Sequence, residues 1–284
     1  MIYFLTVNYY STQLVAKLIN SFPLDNEIEY KIVIINNSPD DQSIYQLENS
    51  STLIIDAEKN IGFGSGCNLG LKWIFNQNKQ AIVWIINPDA YLPDNSLKQL
   101  KTFFDRHPEI SILGTIIYTL TAQTWFAGGT FSQLTGSISQ KNVFTSNEDK
   151  DYVACEWVSG CSLIINFAKF SQIPVFDSSY FLYYEDFDFC RRYSQQGHII
   201  AITKKISVIH QPSSITNKNI LLKTQHSTYS YLLTLSRYTN LTVQIFRLTR
   251  LICYGLFLIP IQPLVAKGKF QGIYNYFQHH IIKS

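Results

Sequence analysis

The chain has 284 residues, of which 46% are hydrophobic and 15% are charged, and its formal net charge is +3. This length and apolar content predict a large buried core, and the small net charge argues against a nucleic-acid partner. The five cysteines form no CxxC pair, so a disulfide framework or a zinc site is not expected, and a reducing compartment is favoured. The residues after Met1 lack the features of a signal peptide, and we expect them to form a first strand.

Strands alternate with helices in the first third of the sequence. Apolar and amphipathic runs predict, in order, strand Ile2–Asn8, helix Ser11–Phe22, strands Lys31–Ile35 and Thr52–Asp56, helix Gly66–Asn76, strand Ala81–Ile86 and helix Leu97–Asp105. This alternation is typical of an α/β fold with a mostly parallel sheet flanked by helices. Ligands bind such sheets at the carboxyl ends of the strands, where Asn8, Asn36, Asn37 and Asp89 fall.

The remainder of the chain is less regular and then becomes helical. Strands and a hairpin are predicted between Gly114 and Ser162, followed by two strands, Ile199–Thr203 and Ile206–His210. From Lys223 onward the pattern is helical, so we predict a C-terminal helical extension over residues 223–284.

One segment of this extension, Val243–Ala266, is strongly apolar. Arg247 and Arg250 precede its most apolar part, Lys267 follows it, and Pro260 and Pro263 interrupt it. The uninterrupted run is shorter than the ~20 residues that a spanning helix needs. The sequence therefore favours a helix lying in a membrane surface, with a packed helix or a dimer contact, and a membrane span, as alternatives.

A glycine-rich run extends from Asn60 to Gly70 with the sequence NIGFGSGCNLG. It follows the third predicted strand and opens the second predicted helix. Glycines let the backbone approach a ligand closely, and a helix N-terminus favours anions such as a diphosphate. The spacing differs from the dinucleotide-binding G-x-G-x-x-G pattern. A tight strand-to-helix turn without a ligand is the alternative.

A second candidate is Asp89 in the segment Asn87-Pro88-Asp89, which follows an apolar strand. A carboxylate at a strand end is well placed to hold a divalent cation that bridges two phosphates. An ordinary strand-ending turn is the alternative. His210, at the end of the last predicted strand, is a candidate metal ligand or phosphate contact, although a lone histidine is more often structural.

The third candidate is an acidic cluster formed by Glu185, Asp186 and Asp188 among aromatic residues. A carboxylate there could take the proton of an attacking hydroxyl group, and burial could tune its pKa for that task. Stabilisation of a helix N-terminus is the alternative. Trp157, which precedes Ser159 and Gly160, could form the wall of an acceptor pocket or could simply begin a strand.

Together these segments resemble family 2 glycosyltransferases with the GT-A fold, especially the bacterial rhamnosyltransferase-like branch. The matching segments stand in the family's order: Val7-Asn8-Tyr9, Asn37-Ser38, Asn60 to Gly70, Asn87-Pro88-Asp89, Trp157-x-Ser159-Gly160, Phe176-Asp177, and Phe181-x-Tyr183-x-Glu185-Asp186-x-Asp188-x-Cys190-x-Arg192. The resemblance implies a Rossmann-like GT-A catalytic domain over residues 1–222. Its halves, 1–112 and 113–222, would bind the nucleotide-sugar and the acceptor.

The resemblance also implies roles for individual residues. Asp186 would be the catalytic base, with Glu185 as the alternative base. Asp89 and His210 would hold Mg²⁺ or Mn²⁺. The implied nucleotide-sugar contacts are Asn8, Tyr9, Asn36, Asn37, Asn60, Gly62, Phe63, Gly64, Asn68, Asn87 and Asp89. The expected acceptor contacts are Trp157, Ser159, Gly160 and Asp188.

The implied reaction is a single displacement with inversion at the anomeric carbon. dTDP-rhamnose is the favoured donor, and UDP-galactofuranose, UDP-glucose and UDP-N-acetylhexosamine are alternatives. Family members usually carry aspartate where Asn36 stands, which leaves the base preference open. A catalytically silent GT-A domain that serves as an assembly or glycan-binding subunit is the alternative from another class. A nicotinamide-binding protein is disfavoured by the missing fingerprint.

The implied acceptor is a polysaccharide or a lipid-linked glycan. We expect a cytoplasmic protein, with peripheral contact to the inner face of a bacterial plasma membrane through the C-terminal tail. A homodimer is a further possible assembly.

Overall fold

A computed structural model of the chain describes residues 1–22, 28–144, 150–211 and 219–281. The strands in these ranges are β1 (Ile2–Asn8), β2 (Tyr30–Asn36), β3 (Thr52–Asp56), β4 (Ile82–Ile86), β5 (Ala90–Tyr91), β6 (Ile112–Thr119), β7 (Thr124–Phe126), β8 (Gly129–Ser132), β9 (Ser137–Gln140), β10 (Tyr152–Ala154), β11 (Ser162–Asn166) and β12 (Ile200–His210). The helices are α1 (Thr12–Asn20), α2 (Phe63–Gln77), α3 (Ser96–Arg106), α4 (Glu185–Gln195), α5 (Ile220–Tyr238), α6 (Leu241–Leu258) and α7 (Pro263–Ile281). Short 3₁₀ turns cover Gln42–Leu47 and Phe167–Lys169.

One central sheet has the strand order β10-β12-β6-β11-β4-β1-β2-β3 along its main path. Four of its pairings are parallel: β1 with β2 and with β4, β2 with β3, and β6 with β12. Strand β11 lies between β4 and β6 and is antiparallel to both. Helices α1 and α2 contact β1, and α3 contacts β12. The predicted mostly parallel α/β sheet is confirmed.

The parallel register brings polar residues to one edge of the sheet. Asn8 at the end of β1 lies opposite Asn36 at the end of β2, and Asn36 lies opposite Asp56 at the end of β3. Strand β4 ends at Ile86, and Asn87 follows it. The carboxyl ends of parallel strands share an edge, so the predicted candidates meet where ligands bind such sheets.

Helix α2 lies unusually close to β1 because glycines face the strand. A Cβ atom added to Gly70 would stand 2.2 Å from Leu5 Cδ1, and one added to Gly66 would stand 3.2 Å from Val7 Cγ1. The helix begins at Phe63, three residues earlier than predicted, because Gly62 adopts a left-handed φ of 84° and starts the turn. The glycines thus serve helix packing as well as the loop.

The end of the sheet corrects one prediction. The segments Ile199–Thr203 and Ile206–His210, predicted as two strands, belong to the single strand β12. Its register against β6 shifts between Thr203 and Ser207, and the exposed Lys204 and Lys205 lie within this irregularity. A bulge lets a strand continue through polar residues that resemble a turn in the sequence.

The chain divides into two compact units. The first comprises residues 1–130, 140–178 and 186–212, and the second comprises residues 131–139, 179–185 and 213–284. The predicted division at residue 222 stays a prediction. The first unit holds the main sheet.

The second unit is built around α5, α6 and α7. A Cβ atom added to Gly268 of α7 would stand 2.7 Å from the Leu221 carbonyl oxygen of α5. One added to Gly272 would stand 2.6 Å from the Gln225 carbonyl oxygen, so these two helices pack closely. The prolines interrupt the apolar tail as predicted, since α6 ends at Leu258 and α7 begins at Pro263. Within the described residues, α6 is the one helix long and apolar enough to cross a membrane.

Candidate active site

A buried amide network closes the edge formed by β1, β2 and β3. The side-chain amide of Asn8 donates a hydrogen bond to Asn36 Oδ1 at 3.4 Å, and the side-chain amide of Asn36 donates to Asp56 Oδ1 at 3.0 Å. The Tyr45 hydroxyl donates to Asp56 Oδ2 at 2.6 Å. Asn8 and Asn36 are fully buried. Their side chains therefore build the wall of this edge, while the exposed Asp56, which the sequence analysis missed, offers a carboxylate beside Asn36.

A second amide pair shapes the glycine-rich loop. The Asn37 amide donates to Asn60 Oδ1 at 3.0 Å and to the Gly62 carbonyl at 3.2 Å, and Asn37 Oδ1 accepts from the Ile61 amide at 2.9 Å. Asn60 Oδ1 also accepts from the Gly62 amide at 3.0 Å. Buried polar groups need such partners, so Asn37 and Asn60 hold the loop in place. Tyr9 is exposed beside this edge at the end of β1.

Asp89 and His210 meet at the next part of the edge. Strand β5 pairs antiparallel with the end of β12 and sets Ala90 opposite His210. His210 Nε2 lies 3.1 Å from Asp89 Oδ1, and both residues are only 4% exposed. The Trp125 ring packs edge-on against the imidazole, with ring centroids 4.8 Å apart. Residues 121 positions apart in sequence thus form one carboxylate–imidazole pair.

Asp186 lies in the first turn of α4. Its Oδ2 accepts a hydrogen bond from the Gly160 amide at 2.8 Å, and its Oδ1 accepts from the Phe187 amide at 2.8 Å. The side chain keeps partial exposure, yet desolvation by the surrounding protein raises the pKa of its carboxyl above the ordinary value, and the backbone hydrogen bonds oppose this shift only in part. A carboxylate with these properties is suited to accept a proton.

The backbone before Asp186 is strained. Tyr183 and Tyr184 adopt left-handed φ values of 69° and 65°, which cost L-residues about 1–2 kcal/mol each. Strain of this kind persists where the surrounding structure enforces it, and it is common at functional sites. The sequence pattern contained no signal for it, because tyrosine does not favour this conformation.

Gly160 joins three of the candidate segments. A Cβ atom at Gly160 would stand 3.1 Å from Phe63 Cε1 and 3.5 Å from Asp186 Cβ. The carbonyl oxygen of the neighbouring Cys161 accepts a hydrogen bond from the backbone amide of Asn87, at 3.0 Å. Burial raises the pKa of the Cys161 thiol well above its usual value, and the charges of Asp89 and Asp186 add to the shift. The Gly160–Cys161 backbone therefore contacts Phe63 of the glycine-rich loop, Asp186 of α4 and the Asn87 segment that leads to Asp89.

The other predicted acceptor residues are mostly enclosed. Trp157 is buried and packs against Phe126, with ring centroids 5.1 Å apart. The Ser159 hydroxyl accepts from the Cys161 amide at 3.2 Å. Asp188 is fully buried and accepts from Arg192 Nε at 2.7 Å. Glu185, the alternative base, is buried, with 6% of its surface exposed. Asp186 is thus the most accessible carboxylate of the acidic cluster.

The structure gives Asn68 a partner that the motif did not indicate. Its amide donates to the Phe176 carbonyl at 2.9 Å, and its Oδ1 accepts from the Phe176 amide at 2.8 Å. Arg192 donates to the Val175 carbonyl at 2.8 Å, and the Val175 amide donates to the Tyr193 hydroxyl at 2.7 Å. The backbone at 175–176 is therefore clamped between α2 and α4. Its role is missed by motif analysis because the contacts are to main-chain atoms.

Comparison of the sequence with the profiles of known families shows to which family the chain belongs. The profile of the family described as Glycosyl transferase family 2 matches residues 5–188, which include the glycine-rich loop, Asp89 and Asp186. The chain belongs to glycosyltransferase family 2. The matched range ends at Asp188 within α4, so His210 and the C-terminal helices of this family 2 glycosyltransferase lie outside it.

Three curated relatives of this family 2 glycosyltransferase are similar at low identity. The low-salt glycan biosynthesis hexosyltransferase Agl10 of Haloferax volcanii is 21% identical over 63% of this chain and 58% of its own length. The rhamnosyltransferase WbbL of Escherichia coli K12 is 22% identical over 74% of this chain and 83% of WbbL. The N-acetylglucosaminyl-diphospho-decaprenol L-rhamnosyltransferase of Mycobacterium tuberculosis is 26% identical over 48% of this chain and 49% of that protein.

The fold is shared with a solved glycosyltransferase. The crystal structure of GalNAc-T7 with UDP, GalNAc and Mn²⁺ aligns with a TM-score of 0.58 and 13% identity, over 81% of this chain and 47% of that chain. The predicted GT-A fold is confirmed by this likeness and by the family match.

The amide network predicts the effect of placing an aspartate at position 36. We expect Asn36→Asp to lower the free energy of unfolding by about 1–3 kcal/mol at pH 7, because the hydrogen bond to Asp56 becomes a contact between two carboxylates. The pKa of the new buried carboxyl would be raised in the folded state, so stability should recover as the pH falls. Chemical denaturation at several pH values measures this change.

The control is a charge exchange at the same pair. Asp56→Asn in the Asn36→Asp background should recover most of the lost stability, because one carboxylate and one amide are again adjacent. Equal stability of Asn36→Asp and the unmodified chain at pH 7 would contradict the assigned hydrogen bond.

The clamp on Phe176 predicts a second stability effect. Asn68→Ala should lower the free energy of unfolding by about 1–3 kcal/mol, because the amide and carbonyl of Phe176 both lose their side-chain partner. Asn76→Ala, at an exposed position of the same helix, is the matched control and should change stability little. If both substitutions had the same effect in thermal denaturation, the clamp would have no energetic role.

Proposed function

We propose that this chain is an inverting glycosyltransferase that moves a hexose from a nucleoside-diphosphate donor to a hydroxyl group of a glycan acceptor. The observation that carries the proposal is that the Gly160–Cys161 backbone contacts both candidate segments: the Gly160 amide donates to Asp186, and the Cys161 carbonyl accepts from the amide of Asn87, two residues before Asp89. Asp89 in turn lies 3.1 Å from His210 Nε2. These residues would supply a proton acceptor and a cation-binding pair at one edge of the sheet. The chain spans 58% of the length of Agl10, and its activity is proposed on this local geometry.

Asp89 and His210 fit a divalent cation. A carboxylate and an imidazole lie side by side, and His210 Nδ1 is buried without a hydrogen-bond partner among the described residues. In the described part of the chain no three His, Cys, Asp or Glu side chains are placed so that they could hold a metal ion together, so a donor diphosphate and water would complete the coordination of Mg²⁺ or Mn²⁺. When bound, the cation supplies Lewis-acid stabilisation of the leaving diphosphate.

Asp186 would act as the base. The Gly160 and Phe187 amides orient its carboxylate, and partial exposure leaves it accessible to an acceptor hydroxyl. As the hydroxyl oxygen bonds to the anomeric carbon, its proton moves to Asp186, and the bond from that carbon to the diphosphate oxygen breaks. The electron pair leaves with the nucleoside diphosphate, and the single displacement inverts the anomeric configuration.

The donor would approach along the edge formed by Asn8, Asn36, Asn37 and the glycine-rich loop. The N-terminus of α2 at Phe63 suits the diphosphate, because free backbone N–H groups and the helix dipole favour anions. Phe63 lies beside Gly160 and Asp186, which would place the sugar between the loop and the base. Gly160 has no side chain, which leaves room for the acceptor there.

Rhamnose is our preferred transferred sugar. Two of the relatives are named as rhamnosyltransferases, and one of them is named for a diphospho-decaprenol substrate. A dTDP-rhamnose donor and a lipid-linked or polysaccharide acceptor follow from this comparison as proposals. UDP-sugars are the competing donors, since Asn36 replaces the family's usual aspartate at the base-binding edge. Calorimetric titration of dTDP- and UDP-sugars in the presence of Mn²⁺ would distinguish them.

Replacing Asp186 should remove turnover while preserving donor binding. We expect Asp186→Asn to lower kcat by about 10²–10⁴-fold, because the amide cannot accept the acceptor proton. Asp94→Asn, which changes an exposed carboxylate, is the matched control. Single-turnover kinetics and donor calorimetry measure the two properties, and near-normal turnover in Asp186→Asn would transfer the base role to another residue.

The raised pKa of Asp186 also sets the acid limb of the pH profile. The base must be ionised, so kcat should fall as the pH decreases through a pKa above the ordinary aspartate value of about 4. The measurement is kcat against pH at saturating donor. A profile that stays flat down to a pH of about 4 would show that Asp186 does not titrate as proposed.

Disruption of the proposed metal-binding pair, Asp89 and His210, should weaken donor binding as well as activity. Asp89→Asn removes one anionic ligand, and we expect at least about tenfold weaker Mn²⁺-dependent donor binding by calorimetry. Donor binding without metal should change little, and Asp94→Asn again serves as the control. If Mn²⁺ raised donor affinity equally in Asp89→Asn and the unmodified chain, the cation would bind elsewhere.

A further inference from the structure

The charge distribution of the chain changes abruptly after α4 begins. Asp188 is the last acidic residue of the sequence, and every Lys, Arg, Asp or Glu that follows it is a lysine or an arginine. In the second unit the described basic residues are Lys223, Arg237, Arg247, Arg250, Lys267 and Lys269. Helices α5, α6 and α7 therefore carry positive charge without any compensating carboxylate.

The turn between α6 and α7 exposes large apolar side chains. Its five members, which we call the apolar tip, are each 50–64% exposed: Leu256, Phe257, Ile259, Ile261 and Leu264. Soluble proteins rarely expose a contiguous apolar patch of this kind, and such patches usually mark an interaction site.

The apolar surface continues along one face of α6. Leu241, Ile245 and Phe246 are each more than half exposed, and positions 241, 245, 249, 252 and 256 lie above one another at helical spacing. Only 11% of α6 is buried. Arg250 is exposed on α6, and the exposed Lys267 follows the tip on α7, so basic side chains flank the apolar tip on both helices.

We propose that the apolar tip and the exposed face of α6 are a docking surface for an anionic phospholipid bilayer. An apolar helix face with basic residues at its borders lies in the boundary between headgroups and acyl chains, where both features are stabilised. Anionic headgroups complement helices α5, α6 and α7, whose charged side chains are all basic. This inference does not depend on the proposed sugar transfer, since lipid vesicles alone test it.

The contacts of α6 favour a position at the bilayer surface over a span. Arg247 Nε donates to the Thr135 carbonyl at 2.6 Å, and a Cβ atom on Gly136 would stand 2.9 Å from Val243 Cγ1. Thus α6 packs along one side on the segment 131–139 of its own unit. A span would place Arg247 and Arg250 within the hydrocarbon region and would break these contacts, both of which are unfavourable.

The test is co-sedimentation of the full chain with vesicles of phosphatidylcholine, with and without phosphatidylglycerol. We expect binding only to the anionic vesicles, weakening with added salt because the attraction is screened. Phe257→Glu/Ile261→Glu should bind at least about tenfold more weakly, because two buried apolar contacts are replaced by carboxylates facing anionic lipid. The Arg250→Glu/Lys267→Glu variant should lose about fivefold or more in affinity for anionic vesicles for each substituted position.

Leu120→Glu is the matched control, because Leu120 is a similarly exposed apolar residue of the first unit and lies outside the proposed surface. It should bind vesicles like the unmodified chain, and circular dichroism verifies that every variant is folded. Equal binding of the tip variant and the control would overturn the proposal. Resistance of the bound protein to carbonate extraction would also overturn it, because that result indicates a membrane span. Absence of vesicle binding, together with a dimer that the Phe257→Glu/Ile261→Glu substitutions dissociate, would overturn it in favour of a dimer interface.

Discussion

The hydrogen bond from the Gly160 amide to Asp186 is the contact on which the rest of the candidate site depends. It fixes the first turn of α4 against the segment that leads into β11, and β11 in turn pairs with β4, which leads to Asp89. Because Gly160 has no side chain, Phe63 of the glycine-rich loop can also approach this point. This one backbone hydrogen bond therefore links the proposed base to the segment that leads to the proposed metal-binding pair, Asp89 and His210, and to the glycine-rich loop proposed to bind the donor. Desolvation at the same point raises the pKa of Asp186, so position and basicity have a common origin.

Much of the polar character of the sheet edge is used internally. Asn8, Asn36, Asn37 and Asn60 bond mainly to one another and to nearby backbone groups. Buried amides are costly unless they are satisfied, and a satisfied network is rigid. The edge is consequently preorganised, and a ligand would meet the backbone of the loop, the exposed Tyr9 and Asp56 rather than free asparagine side chains. In this arrangement the carboxylate nearest to the Asn36 side chain is that of Asp56.

The two units have different physical characters. In the first, acidic and basic residues both occur and the sheet is buried. In the second, the charged residues of the described helices are basic, and a large apolar surface is exposed. Close packing through Gly268 and Gly272 shows that α5 and α7 form a folded pair. If the proposals for the two units hold, a catalytic sheet and a membrane-binding helical unit in one chain would suit an acceptor that is itself held in lipid.

The sequence by itself determined the α/β class, the alternation of the main strands and helices in the first third of the chain, the family and the candidate carboxylates, because these depend on local periodicity and on short ordered motifs. It identified the apolar tail and its proline interruption for the same reason. Only the tertiary structure decided which candidates meet. The pairing of β5 with β12 brings Asp89 next to His210, and the Asn68 side chain hydrogen-bonds the main chain of Phe176. Asp188 is buried and accepts a hydrogen bond from Arg192. The first two outcomes depend on strand pairing and on main-chain contacts between residues far apart in sequence, and the third depends on which face of α4 is buried. Side-chain identity alone carries no record of these.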